Sequence, residues 1–297
     1  MAVQGGSLSR IYTYDSHSRI ASVSETCSDG WTRTLHTTRD FAGNVTQTTE
    51  TVTPPSSASS DGEHSIMTCY TRDHRGRIIA CSRSVDGYAM APVSYSYDEL
   101  GRLSGRTVGD TSMPWVISEA LSYDLHGWRT GSTAGTASDP DSLFSQTIRR
   151  QDAAAPGASP RWDGTISETA SRQGTDEPVQ TYAYGYDNAG RLSGARHFRG
   201  SSGTESLTDT EKDITYDRNG NITALKRYDG SGLSGDISFT HDGNRLEAMT
   251  DVCSSAMTAG ATYSYDAAGN LTSDSRKRLL LTYNILNLPR TGISCVN

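Results

Sequence analysis

One short phrase returns along the whole chain, and it constrains the fold more than any bulk property. In most copies an aromatic residue precedes an aspartate, a glycine follows three residues later, and Arg or Asn and then an aliphatic residue complete it. The copies begin Tyr14-Asp15-Ser16-His17-Ser18-Arg19-Ile20, Asp40-Phe41-Ala42-Gly43-Asn44-Val45 and Asp73-His74-Arg75-Gly76-Arg77-Ile78. They continue as Tyr97-Asp98-Glu99-Leu100-Gly101-Arg102-Leu103, Tyr123-Asp124-Leu125-His126-Gly127-Trp128 and Tyr186-Asp187-Asn188-Ala189-Gly190-Arg191-Leu192. Two more are Tyr216-Asp217-Arg218-Asn219-Gly220-Asn221-Ile222 and Tyr265-Asp266-Ala267-Ala268-Gly269-Asn270-Leu271, with weaker echoes at His241 to Leu246 and Tyr283 to Leu288. From Asp15 to Asn284 the copies step by 25, 33, 25, 26, 63, 30, 25, 24 and 18 residues, the echoes included. The long step leaves room for one or two degenerate copies. A unit of some 25 residues is too small to bury its own faces, so the period predicts an array stabilised by contacts between neighbours.

Before the Asp, aromatic or β-branched residues alternate with small polar ones, as in Tyr95-Ser96-Tyr97, Tyr182-Ala183-Tyr184-Gly185-Tyr186 and Tyr263-Ser264-Tyr265. Period two is a strand with its rings on one face. The Asp carboxylate accepts from the amide two residues on, and the Gly takes the positive φ that closes the loop. The phrase is therefore a hairpin turn, and the Tyr before each is expected to be largely buried and to contact its equivalent, or a Leu or Ile, from an adjacent repeat. Between these turns lie Asp29-Gly30, Asp61-Gly62, Asp86-Gly87, Asp163-Gly164, Asp229-Gly230 and Asp242-Gly243, dipeptides suited to type I′ hairpins. Arg77 through Asp86-Gly87 to Tyr97 reads as a β-meander. No window sustains a capped helical period. The predicted fold is all-β: antiparallel β-hairpin repeats over residues 1–297, with irregular loop insertions near 53–62 and 133–160.

Composition agrees with thin sheets. Only 34% of residues are hydrophobic, and 15 Tyr stand against 4 Phe, which suits a moist face where the hydroxyl finds a partner. A net charge of −7 argues against nucleic acid as a partner. The basic run Arg276-Lys277-Arg278 reads as a charged turn before a strand. The cysteines at 27, 69, 81, 253 and 295 form no CxxC pair, so neither a disulfide framework nor a zinc site is expected. No apolar leader opens the chain and no stretch is long enough for a membrane helix, so no signal peptide and no membrane insertion are expected.

Other motifs have bland readings. Gly230-Ser231-Gly232-Leu233-Ser234-Gly235 matches a dinucleotide pattern but lies between strand-like segments. Asp217, Asn219 and Asn221 have calcium-loop spacing without the Gly and Glu that should follow. The sequons at Asn44, Asn221 and Asn270 fall just after the turn Gly, where Thr suits a strand. Neither H-E-x-x-H nor G-x-S-x-G occurs, and no catalytic residue, metal site or cofactor is expected.

These phrases resemble the YD repeats of RHS proteins, which are also similar to parts of insecticidal toxin complexes and of animal teneurins. Trp162 to Thr169, Ile214 to Thr223 and Leu281 to Pro289 narrow the resemblance to RHS proteins of the Bacteroides and Prevotella kind. It implies a hairpin strip spiralling into a partial YD/RHS shell, non-catalytic, that encloses or presents a C-terminal effector of the polymorphic-toxin type. It also implies a secreted or cell-surface setting within a larger protein, with the remainder of the shell or an effector domain as partner. The RHS core and effector are expected to be absent from this segment: Asp139-Pro140 sits in neighbours unlike the self-cleavage motif. The structural site residues are the turns: Tyr14, Asp15, Asp40, Gly43, Asp73, Gly76, Tyr97, Asp98, Gly101, Tyr123, Asp124, Gly127, Tyr186, Asp187, Gly190, Tyr216, Asp217, Gly220, Tyr265, Asp266 and Gly269. The alternative is an adhesion module binding glycans or a protein through Trp31, Trp115, Trp128, Trp162 and exposed Tyr.

Overall fold

The structure, a computed structural model, describes residues 7–55, 62–200, 203–254 and 260–294. It is all-β, with 23 strands and no helix among the described residues. Chain contacts divide it into two compact units, residues 1–123 with 132–145, and residues 124–131 with 146–297.

The first unit holds β1 (Leu8–Tyr14), β2 (Ile20–Cys27), β3 (Thr32–Arg39), β4 (Val45–Thr53) and β5 (His64–Arg72). It continues through β6 (Ile78–Val85), β7 (Tyr88–Ala89), β8 (Val93–Tyr97), β9 (Leu103–Val108) and β10 (Ile117–Tyr123). Each strand pairs antiparallel with its chain neighbour, except that β6 pairs with both β7 and β8. β11 (Arg129–Gly135) and β12 (Phe144–Arg149) each contribute residues to both units.

The second unit continues with β13 (Glu168–Gln173), β14 (Gln180–Tyr186), β15 (Leu192–Arg199), β16 (Glu205–Tyr216), β17 (Ile222–Asp229) and β18 (Leu233–Asp242). It ends with β19 (Arg245–Asp251), β20 (Ala261–Tyr265), β21 (Leu271–Asp274), β22 (Leu279–Tyr283) and β23 (Pro289–Ser294), again paired with chain neighbours.

Burial is uneven. In the second unit Ile214, Leu225, Ile237 and Met249, one from each of β16 to β19, form a buried stripe covered by Leu192, Tyr216, Phe239 and Tyr263. Leu225 lies directly opposite Ile237, and Phe239 opposite Met249, so the stripe is built of cross-strand partners. The first unit contributes none of the fully buried hydrophobic side chains among the described residues. Its cohesion rests on ladder hydrogen bonds and cross-strand pairs such as Arg33 with Glu25 and Glu50.

Two expectations need correction. The stretch 133–160 is not one irregular loop: it contains the end of β11 and all of β12. Part of the other predicted insertion, residues 56–61, lies outside the described residues, as does Asp61. Of the described Asp-Gly dipeptides, Asp86-Gly87 alone has both residues at positive φ, 50° and 81°, as a type I′ turn requires. At Asp29-Gly30 the glycine instead closes a longer loop, with its amide on the Cys27 carbonyl and the Cys27 amide on Trp31.

Candidate functional site: the turn and the junction between repeats

All but one of the turns share a construction. In the first, the Asp15 amide donates to the Arg19 carbonyl at 2.8 Å, and the Ser18 amide donates to the Asp15 carbonyl at 3.0 Å. Ser18 occupies the glycine position at φ 59°, and the strand register shifts beside Tyr14, as in a turn closed by a left-handed residue and a bulge. The same pair of backbone bonds closes the turns at Asp40, Asp73, Asp98, Asp124, Asp187, Asp217 and Asp266, and at Asn284. Gly43, Gly76, Gly101, Gly127, Gly190, Gly220 and Gly269 all lie between φ 77° and 91°. The echo at His241 differs: Asp242 pairs directly with Arg245, leaving a tight two-residue turn.

The Asp side chain organises the loop. One oxygen of Asp187 accepts from the amides of Ala189 and Arg191, both at 2.9 Å, while the other accepts from the Arg191 guanidinium at 2.7 Å. Asp15, Asp73 and Asp98 hold Arg19, Arg77 and Arg102 in the same way, and Asp40, Asp217 and Asp266 hold the side chains of Asn44, Asn221 and Asn270. The backbone amide of Arg19, joined by its side chain and the His17 amide, holds the Asp15 carboxyl down at about 2 despite some desolvation. At Asp73 and Asp98 desolvation pushes upward first, but the bonds from Arg77 and Arg102 outweigh it and both carboxyls end below their ordinary value.

The arginine fixed in one turn reaches the next repeat. Arg77 lies 4.4 Å from the centre of the Tyr97 ring, and the Tyr97 hydroxyl donates to the Ile78 carbonyl at 2.8 Å. Arg102 covers Tyr123 at 4.7 Å while Tyr123 donates to Leu103 at 2.9 Å. Arg191 covers Tyr216 at 4.5 Å while Tyr216 donates to Leu192 at 2.7 Å. Each junction thus joins a cation, a ring and the carbonyl just past the arginine. Arg245 covers Tyr265 more loosely, at 5.9 Å.

Two junctions carry substitutes. Arg72 stands where Tyr would, and its guanidinium donates to the Val45 carbonyl of the preceding repeat and to the Gly76 carbonyl of its own turn. Arg150 does likewise with Arg129 and Gly164, and lies 5.3 Å from the Trp128 ring, so cation and ring have exchanged places. Gly164 belongs to a degenerate turn within the 63-residue step. There Arg161 covers Tyr186 at 4.8 Å, and Tyr186 donates to the Ile166 carbonyl at 2.7 Å. Nearby, the buried Glu168 accepts from Arg149 and from the amides of Ala154 and Ala155, pinning the loop after β12.

Contacts between equivalent tyrosines of successive repeats are absent among the described residues, while Tyr216 and Tyr263 pack against the stripe of Ile214, Leu225, Ile237 and Met249. The ring pairs are His126 with Trp128, Tyr182 with Tyr184 and Tyr182 with His197, none joining equivalent tyrosines of successive repeats. Tyr95, Tyr97, Tyr184, Tyr186, Tyr263 and Tyr265 are half-buried: Tyr97 and Tyr186 lie against the preceding turn, and Tyr263 packs on the buried stripe. The arginines are the residues that sequence reasoning missed, and the signal for them is present: an Arg closing one turn with a Tyr 20 to 25 residues on, as at Arg77 and Tyr97 or Arg191 and Tyr216. Of the tryptophans, Trp128 is half-buried in its junction, while Trp31, Trp115 and Trp162 are exposed. Among the described residues no group of three or more His, Cys, Asp or Glu is placed to hold a metal ion.

No family model and no curated protein matches the sequence. Among solved structures, the chain is similar over 95% of its length to 19% of a chain in the Photorhabdus luminescens Tc holotoxin pore, with 12% identity and a TM-score of 0.35. It is similar over 89% of its length to 19% of a chain in TcdB2-TccC3 without the hypervariable C-terminal region, with 12% identity and a TM-score of 0.21. A porin-like protein from Bacteroides uniformis matches 81% of this chain and 91% of its own, with 11% identity and a TM-score of 0.29. Likenesses this low decide neither family nor function.

Proposed function

We propose that the chain is a non-catalytic scaffold, a segment of an RHS/YD-repeat shell that encloses or presents an effector domain within a larger secreted or surface protein. The observation that carries the reading is the junction itself. Its chemistry is spent between repeats: the Asp carboxylates are occupied by their own turns, the arginines by the next ring, and the tyrosine hydroxyls by backbone carbonyls. Such a device fixes the geometry of one hairpin on another and leaves those groups no part in chemistry on a substrate. The test is electron microscopy of the array together with the remainder of its shell. A hollow envelope is expected; a solid particle without a lumen would overturn the reading.

A further inference from the structure

Cation and ring complement each other from turn to turn. Where a turn supplies arginine, the next ring position is Tyr, as in Arg77 with Tyr97 and Arg191 with Tyr216. Where that position is Arg72 or Arg150, the turn before supplies Asn44 or Trp128 in place of a cation. One position breaks the rule. Arg39 precedes Asp40 and pairs with Val45, as Tyr97 precedes Asp98 and pairs with Leu103, yet the turn before it supplies Arg19.

Arg19 holds the usual place of a junction cation. Its Nη1 lies 2.5 Å from where a Cβ on Gly43 would stand, and that of Arg77 lies 3.2 Å from the same point at Gly101. Arg77 has a ring beneath it, whereas Arg19 meets a second arginine at the ring position. Arg72 gives its Nε–H to the Val45 carbonyl of the preceding repeat, but the Nε–H of Arg39 is buried with no acceptor among the described residues. Arg39 keeps the bond to its own turn, from Nη1 to the Gly43 carbonyl at 3.2 Å. The nearby carboxylates are already engaged, Asp15 by Arg19 and the His17 amide, Asp40 by the amide and side chain of Asn44.

Both arginines line one groove of about 390 Å³, with His17 and His36 also on its walls. The walls come from two successive turns joined by β2 and β3, which pair with each other. Two partly buried guanidinium groups repel more strongly there than in water. A tetrahedral dianion set between them cancels that repulsion and accepts charge-assisted bonds from both, whereas a carboxylate suits a single fork. We propose that this groove is an oxyanion site, holding a phosphate or sulfate group, free or carried as a monoester, between Arg19 and Arg39. The site adds a ligand to the array and does not depend on the scaffold reading.

Isothermal titration calorimetry of the full chain reads the site, with ionic strength held constant by chloride. Inorganic phosphate, sulfate and methyl phosphate are the probes, and the last separates an ester-borne group from a free ion. Saturable binding of a single phosphate per chain is expected, with acetate weaker by about tenfold or more. Two substitutions repair the junction and so should leave the chain folded, which circular dichroism checks. Arg39→Tyr puts a ring under Arg19, and Arg19→Asn recreates the pairing of Asn44 with Arg72. Each should weaken phosphate binding about tenfold or more, and phosphate should raise the urea midpoint of the parent more than that of either variant. No saturable binding by any of the three probes, or binding and midpoint shifts unchanged in either repaired variant, overturns the proposal.

Discussion

Replacing Tyr216 with Phe isolates one junction bond. The ring stays on the Ile214, Leu225, Ile237 and Met249 stripe and under Arg191, so packing and the cation contact survive. What goes is the 2.7 Å bond from its hydroxyl to the Leu192 carbonyl. A neutral hydrogen bond in a partly buried site contributes about 1 kcal/mol net, and the orphaned carbonyl keeps the cost near that figure or above it. Tyr14→Phe is the internal control, because Tyr14 is 61% exposed. It should cost under about 0.3 kcal/mol, as surface changes away from special contacts do. Urea unfolding reads both variants: the Tyr216→Phe midpoint should fall at unchanged slope, while Tyr14→Phe overlays the parent. Equal midpoints for the two variants, or a Tyr216→Phe loss below about 0.3 kcal/mol, would refute the junction as a source of stability.

Gly190 has φ 77° and open space where a Cβ would stand, so Gly190→Val should cost roughly 1 kcal/mol or more from backbone strain alone, and Gly190→Asn clearly less, both read by thermal melts. Glu168→Ala removes the acceptor of Arg149 and two loop amides from a buried site, and a loss of about 2 to 4 kcal/mol is expected in denaturant titrations. Acid should weaken the turns. The Asp15 carboxyl sits at about 2 in the fold against an ordinary 3.8, so its contribution is full above about pH 4 and is lost as pH falls toward 2. Denaturation midpoints that do not change across that window would contradict this.

The turns were legible because their chemistry is local. Asp187 to Arg191 carries its own carboxylate acceptor, its left-handed glycine and its capping arginine within five residues, and strand alternation before it is equally local. The junction was half legible. Tyr97 and Tyr216 stood out as aromatic, but ring chemistry alone suggested ring or aliphatic partners, whereas the residue brought beside each Tyr is set by the pairing of strands about 20 residues apart in the chain. The degenerate turn at Arg161 to Ile166 was hidden because Asp163 and Gly164 are adjacent, which breaks the spacing while preserving the carbonyl and the cation that Tyr186 needs. Glu168 gave no local sign of burial, since its partners come from β12 and the loop after it.

Amide hydrogen exchange on the parent chain and on Arg191→Ala tests the central claim, that junctions bind successive hairpins into one cooperating strip. Arg191 bonds Asp187 in its own turn and the Asp217 carbonyl in the next, and covers Tyr216. If the junction couples repeats, the substitution should speed exchange in β14 and β15 and also in β16 and β17. Faster exchange confined to the turn from Asp187 to Leu192, with β16 and β17 protected as in the parent, would contradict it.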